Sequence, residues 1–240
     1  MRKRLRDKLS AALPSEELDK VYNSFDVIGE IAIIKINALQ NAETIANQIM
    51  ACQKNIKTVL TPTTSITGDF RVRELKHLAG EIKTVTCHKE SGCSFKVDVE
   101  KCYFSPRLSF EHSRIAKLVE SGETVVNMFA GVGCFSIFIA KTASQTRVYS
   151  IDVNPAAFQC MEENVRINEV EESVFPMRGD AKEIINSKLH GVADRVLMPL
   201  PEIALEYLPC ALSALKQTGG WIHYYDFQHA PGKEKPTEKA

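Results

Sequence analysis

No apolar run in this 240-residue chain reaches the roughly 20 residues that a membrane-spanning helix needs. The start, Met1-Arg2-Lys3-Arg4-Leu5-Arg6-Asp7-Lys8, is basic, but no apolar stretch of signal-peptide type follows it. No C-x-x-C pair occurs among the seven cysteines, and their number is odd. A secreted disulfide framework is therefore not expected; reduced thiols in the cytosol are. Cys87, Cys93 and Cys102 lie on extended segments, with His88 beside the first. Their spacing matches no zinc pattern, and no metal is expected. Internal repeats and low-complexity segments are also missing.

A net charge of one sign is lacking too, since 30 Lys and Arg balance 30 Asp and Glu. The balance hides an asymmetry. Residues 1–120 carry 19 basic against 15 acidic side chains, and residues 121–240 carry 11 against 15. Basic clusters lie at Arg2 to Lys8 and at Arg71, Arg73, Lys76 and His77, as on a phosphate-facing surface. Each cluster alone is equally compatible with a solvated helix face.

Residues 1–24 read as helical, with Pro14-Ser15-Glu16-Glu17 as a break and restart. Asp26 to Asn37 reads as one or two strands around Gly29, Ala42 to Lys54 as a helix, and Thr58 to Leu60 as a short strand. A loop follows from Thr61 to Asp69. Glu81 to Phe104 alternates and turns at Glu90-Ser91-Gly92, a hairpin. These elements make a small α+β domain, residues 1–108. From residue 109 the pattern becomes alternating helix and strand. Strands are expected at Thr124–Phe129, Arg147–Asp152, Ser173–Arg178, Asp194–Met198 and Trp221–Asp226, which implies a doubly wound, mostly parallel sheet over 109–240. The tail from Pro231 is polar and reads as loose.

The most informative run is Val125-Val126-Asn127-Met128-Phe129-Ala130-Gly131-Val132-Gly133-Cys134-Phe135-Ser136. An apolar strand ends in two glycines one residue apart, and an apolar helix follows. Such a turn lets backbone approach a nucleotide-like ligand and aims helix N–H groups at it. A lone GxG is weak. Asp152, about 20 residues on, suits a ribose diol. Asp180, one strand later, suits an adenine amino group. A dinucleotide site would place a third glycine at Ser136 and a basic residue in the loop; neither is there. The turn better fits a nucleoside bearing an amino acid, S-adenosylmethionine. An α/β domain whose glycines only make a tight turn is the alternative.

The chain resembles the tRNA guanosine-37 methyltransferases of archaea and eukaryotes, the Trm5 family, and is similar to its sister group, the wybutosine-pathway aminocarboxypropyl transferases of Tyw2 type. The shared segments are Arg71-Val72-Arg73-Glu74-Leu75, Tyr103-Phe104-Ser105-Pro106-Arg107-Leu108 with Glu111 beyond, Asn127 to Gly133, Asp152-Val153-Asn154-Pro155, Gly179-Asp180-Ala181, Ala193 to Met198 and Ile222-His223-Tyr224-Tyr225. The resemblance implies a class I S-adenosylmethionine-dependent methyltransferase, Rossmann-like, with a smaller N-terminal α+β domain facing tRNA. It implies methyl transfer to N1 of guanosine 37 by a monomer, or, in the sister branch, transfer of the 3-amino-3-carboxypropyl group to a wybutosine precursor. Larger family members carry a further N-terminal domain, and this chain is expected to begin at the middle domain. Two departures stand out. Asn127 replaces a usual acid. Pro199-Leu200-Pro201 stands where the methyltransferase branch usually has Asn-Leu-Pro.

Attack of guanosine N1 on a sulfonium methyl needs the N1 proton removed and charge at O6 stabilised. The resemblance assigns these roles to Glu111 and Arg71. Read from its position alone, Glu111 near a helix start also serves the helix dipole. Arg107 suits a bidentate contact to the cofactor carboxylate, or a salt bridge. Tyr103 and Phe104 suit the methionine end or the hairpin core. Phe129, Gly131, Gly133, Asp152, Val153, Asp180 and Pro199 complete the expected cofactor set. Cys210, after Pro209, reads as packing, because a purine N1 needs no covalent thiol.

Overall fold

The structure, a computed structural model, describes residues 25–36, 41–68 and 70–227. The expected helix over 1–24 and the tail from Pro231 lie outside the described residues. The chain divides after Phe110 into two compact units.

The first unit holds a four-stranded sheet in the order β1 (Asp26–Ile28), β2 (Ile31–Ile33), β3 (Thr58–Pro62), β4 (Leu75–Gly80). Only the β2–β3 pair is parallel, and helix α1 (Ala42–Cys52) is the crossover between them. Ala42, Ile45, Ala46 and Ile49 of α1 recur at helical spacing and are buried with Ala32, Ile34, Val59, Leu78 and Ala79. β4 is not apparent in the sequence. Lys76 and His77 interrupt its apolar residues, and a register shift at Val59/Leu60 breaks its alternation. The expected hairpin is present as β5 (Val85–Glu90) and β6 (Cys93–Asp98). Ser91 and Gly92 form its two-residue turn, both at positive φ (45° and 84°), as the twist of a tight hairpin demands.

The second unit is Rossmann-like. Helix α2 (Ser109–Ala116) leads into β7 (Thr124–Asn127), α3 (Cys134–Thr142), β8 (Arg147–Asp152), α4 (Pro155–Ile167), β9 (Val174–Arg178), the short α5 (Ala181–Ile184), β10 (Arg195–Met198), α6 (Ala204–Ala214) and β11 (Trp221–Tyr224). The sheet order is β11-β10-β7-β8-β9, and every pairing is parallel. The chain winds outward from β7 to β9 and then returns to the other side of β7. The order therefore reverses between β7 and β10, and such a reversal opens a crevice at the carboxyl ends of those strands. The glycine turn follows β7 directly. Pro176 sits on β9, an edge strand, where a missing N–H is tolerated.

Arg195 at the start of β10 is 5% exposed. Its Nε and Nη2 donate to Glu123 at 2.7 and 2.9 Å, Nη2 also to the Leu118 carbonyl at 2.8 Å, and Nη1 to His223 Nε2 at 2.8 Å. This one side chain joins the lead-in to β7, β10 and β11. Removing one partner of a buried pair strands the other charge. Glu123→Ala is expected to lower stability by about 3 kcal/mol in urea unfolding. The double variant Glu123→Leu/Arg195→Met is expected to cost less than that single change.

Candidate active site

The glycine turn uses left-handed backbone that favours glycine. Gly131 has φ +57° and Gly133 φ +94°. A Cβ on Gly133 would lie 3.0 Å from Met161 Cγ, so a side chain there would both strain the backbone and crowd Met161. Gly133 caps α3, and no side chain does so. The Gly131 N–H donates to Asp152 Oδ2 at 2.6 Å, and the Asn154 N–H donates to Asp152 Oδ1 at 2.9 Å. Burial pushes the Asp152 carboxyl above its ordinary range, against the opposing pull of these two N–H groups. Asn164 of α4 donates to the Val132 carbonyl at 2.9 Å, a second tether on the loop.

Under the turn lies a buried polar cluster. Ser150 Oγ donates to Ser136 Oγ at 2.7 Å, and Asn127 Nδ2 donates to the same oxygen at 3.1 Å. Ser136 thus fills the place of a third glycine with a hydroxyl that two neighbours satisfy. Asn127 Oδ1 is buried without a hydrogen-bond partner, an orphaned acceptor directly before the loop.

Asp180 caps α5, accepting the Lys182 N–H at 2.7 Å on Oδ1 and the Tyr207 hydroxyl at 2.7 Å on Oδ2. Tyr207 meets Phe129 edge-on at 5.1 Å, and Lys182 Nζ lies 4.2 Å above the Tyr207 ring. Val153 is exposed after β8, and Pro199 is half-buried after β10. Phe129, Gly131, Gly133, Asp152, Val153, Asp180 and Pro199 therefore all lie at or just beyond the carboxyl ends of β7 to β10. The donor set fits an adenosyl group: carboxylate acceptors beyond two successive strands, a glycine turn without Cβ atoms, and aromatic faces beside it.

Glu111 lies in the first turn of α2. Its Oε2 accepts Arg114 Nε at 2.7 Å; its Oε1 accepts Arg114 Nη2 at 2.7 Å and the Tyr225 hydroxyl at 2.5 Å. The Arg114 fork, aided by Tyr225, holds the Glu111 carboxyl below its ordinary range despite partial burial. Burial first, then the Glu111 carboxylate, pushes the Tyr225 phenol up.

The remaining expected residues belong to the first unit. Arg71, Tyr103 and Phe104 line one small open cleft, with Ile28, Ile33 and Arg73. Arg71 holds φ +54°, a left-handed backbone uncommon for a non-glycine residue. Phe104 packs edge-on to His88 at 5.1 Å. Arg107 Nε pairs with Asp26 at 2.9 Å and is 70% exposed. No group of three or more metal-ligating side chains occurs among the described residues.

Sequence reasoning passed over Arg114, Tyr207, Asn164 and the individual role of Tyr225. Arg114 was readable as the i+3 partner of an acid. Tyr207 and Asn164 reach the site only through tertiary packing.

Residues 86–239 match the profile described as the TRM5/TYW2 methyltransferase domain, and residues 5–84 that of the TYW2 N-terminal domain. The chain belongs to the TRM5/TYW2 methyltransferase family. It is 45% identical over 217 residues to the Pyrococcus abyssi tRNA (guanine(37)-N(1))-methyltransferase Trm5b, a match covering 90% of this chain and 63% of that relative. It superposes with TM-score 0.83 and 36% identity on aTrm5 in its complex with tRNALeu, covering 94% of this chain and 66% of that one. Methanocaldococcus jannaschii TYW2 in complex with AdoMet superposes with TM-score 0.65 and 30% identity, covering 90% of this chain and 82% of that one. The chain thus spans about two thirds of the length of the two Trm5 relatives.

His223 stands between Arg195 and the Glu111–Arg114 pair. Burial, with the positive charges of Arg195 and Arg114, pushes its imidazole down to about 4. An unfolded histidine takes a proton near pH 6.5. The unfolded chain therefore binds a proton that the folded chain refuses, and stability falls as pH drops from about 6.5 towards 4. Urea midpoints measured across that window are expected to fall less steeply for His223→Gln than for the parent.

Proposed function

We propose that this chain transfers the methyl group of S-adenosylmethionine to N1 of guanosine 37 in tRNA. The observation that carries the reading is the second unit's geometry: Asp152 and Asp180 present acceptors beside a glycine turn at the sheet's reversal point, and the same unit holds Glu111 in its ionised form. Family membership supports it, as do the Trm5 relative bound to tRNALeu and the TYW2 relative bound to AdoMet.

In this reading Asp152, beside Val153, accepts from the ribose hydroxyls. Asp180 accepts from the adenine amino group, and Phe129 walls the ring. Gly131 and Gly133 admit the methionine end, with Tyr103, Phe104 and Arg107 assigned to its carboxylate side. Pro199 borders the place of the target base. Bound S-adenosylmethionine supplies a methyl carbon activated by its sulfonium. Glu111 accepts the proton from guanine N1, whose freed electron pair would form the new N–C bond as the methyl–sulfur bond breaks and its pair passes to sulfur, leaving S-adenosylhomocysteine, and Arg71 stabilises the negative charge reaching O6. The basic side of the chain, residues 1–108, is assigned to tRNA and residues 109–240 to catalysis. The protein is read as a cytosolic monomer.

A second reading keeps fold and cofactor but moves the 3-amino-3-carboxypropyl group. Two observations favour it: the match of residues 5–84 to the TYW2 N-terminal domain, and Pro199 where the methyltransferase branch has asparagine. Cofactor labelled on the methyl and, separately, on the carboxyl carbon decides between them. With unmodified tRNA carrying guanosine 37, only the methyl label is expected in RNA, and nucleoside mass spectrometry is expected to show 1-methylguanosine. Carboxyl label entering tRNA that carries a wybutosine precursor at position 37, with no methyl label entering guanosine-37 tRNA, would overturn the first reading in favour of the second. Glu111→Gln is expected to slow single turnover about 100-fold or more, while S-adenosylhomocysteine binding stays intact by calorimetry. Turnover is expected to fall steeply as salt rises, because phosphate contacts release counterions.

A further inference from the structure

β11 is parallel to β10 with Tyr224 opposite Met198, so Tyr225 leaves the sheet level with Pro199. Tyr225 directly follows β11, two residues after His223. His223 meets Arg195, and Tyr225 meets Glu111. The Tyr225 ring also lies 6.3 Å from that of Phe135, in the first turn of α3 just past Gly133. Phe135 in turn touches His112 of α2 edge-on at 4.6 Å. One side chain therefore contacts both the acid and the helix that opens at the glycine turn.

We propose that Tyr225 is a positioning residue: its hydroxyl fixes Glu111 through Oε1, its ring anchors that contact on Phe135, and Oε2 is left to take the substrate proton. This rests on the reading of Glu111 as base. An ionised carboxylate offers about four acceptor sites. Oε1 receives two donors, Arg114 Nη2 and Tyr225, and is filled. Oε2 receives only Arg114 Nε, so one lone pair remains open on that oxygen. Arg114 alone grips both oxygens in the same plane and does not distinguish them. The tyrosine supplies the asymmetry. The charged and titratable groups around Glu111 are Arg114 on its own helix, His223 and Tyr225 from the β11 segment, and, beyond His223, Arg195 with Glu123.

Tyr225→Phe keeps the ring and removes the donor. The acid limb of the single-turnover pH profile marks the loss of ionised Glu111, and one fewer donor moves it to higher pH. At the acidic end the variant is expected to run about ten times more slowly, relative to its own plateau, than the parent. S-adenosylhomocysteine affinity, read by calorimetry, is expected to stay within twofold. Carbon-13 NMR of glutamate-labelled protein reads the same change without turnover: the Glu111 side-chain carboxyl titrates at higher pH in Tyr225→Phe, with Glu111→Gln identifying its signal. An unmoved titration and an unmoved acid limb in a folded Tyr225→Phe protein would overturn the role of Tyr225 and leave the base assignment standing. Full turnover by Glu111→Gln would instead remove the base assignment, and the proposal with it.

Discussion

The carboxylate of Asp152 is the fixed point of the second unit. One oxygen takes the Gly131 N–H and the other takes the Asn154 N–H, so the turn after β7 and the turn after β8 hang on a single side chain. Both glycines sit in left-handed backbone that an ordinary loop would leave. The carboxylate, with the Asn164 amide on Val132, supplies the restraint that keeps them there. Burial raises the cost of charge on Asp152, and two N–H donors offset part of it. A diol placed against this group would add donors to a carboxylate that has lost most of its water, which is where a hydrogen bond is strongest.

Charge is arranged differently near Glu111. There a chain of alternating partners runs from Tyr225 and Arg114 through Glu111 towards His223, then Arg195 and Glu123. Glu111 is held ionised and the imidazole is held neutral. A neutral histidine next to two arginines keeps positive charge from accumulating beside the carboxylate. The imidazole's state follows from burial and the two arginines, whereas that of Glu111 follows from its hydrogen-bond donors acting against burial.

Much of this was legible before any coordinates. Alternation of helix and strand after residue 109 implied the parallel sheet, with β8 bounded as read. Asp152 and Asp180 stood at strand ends because periodicity placed them there. β4 was hidden because its residues read as a basic cluster, and its bulge disrupts the period on which strand reading depends. The site was legible as residue types and not as partnerships. Asp180 capping α5 and accepting from Tyr207 needs a residue 27 positions away, and the Tyr225 contact to Glu111 spans 114. Contacts across such separations are fixed by the order of strands in the sheet, which sequence pattern constrains only loosely.

The two borders of the parallel sheet are unequal in a way that bears on solubility. On β9 the imino acid at position 176 interrupts the row of amide donors, so a foreign strand seeking to extend the ladder meets a gap there. Along β11 the row from Trp221 to Tyr224 is unbroken, and Trp221 is exposed. Among the described residues, unwanted cross-molecular pairing is therefore guarded against on one flank of the sheet and invited on the other.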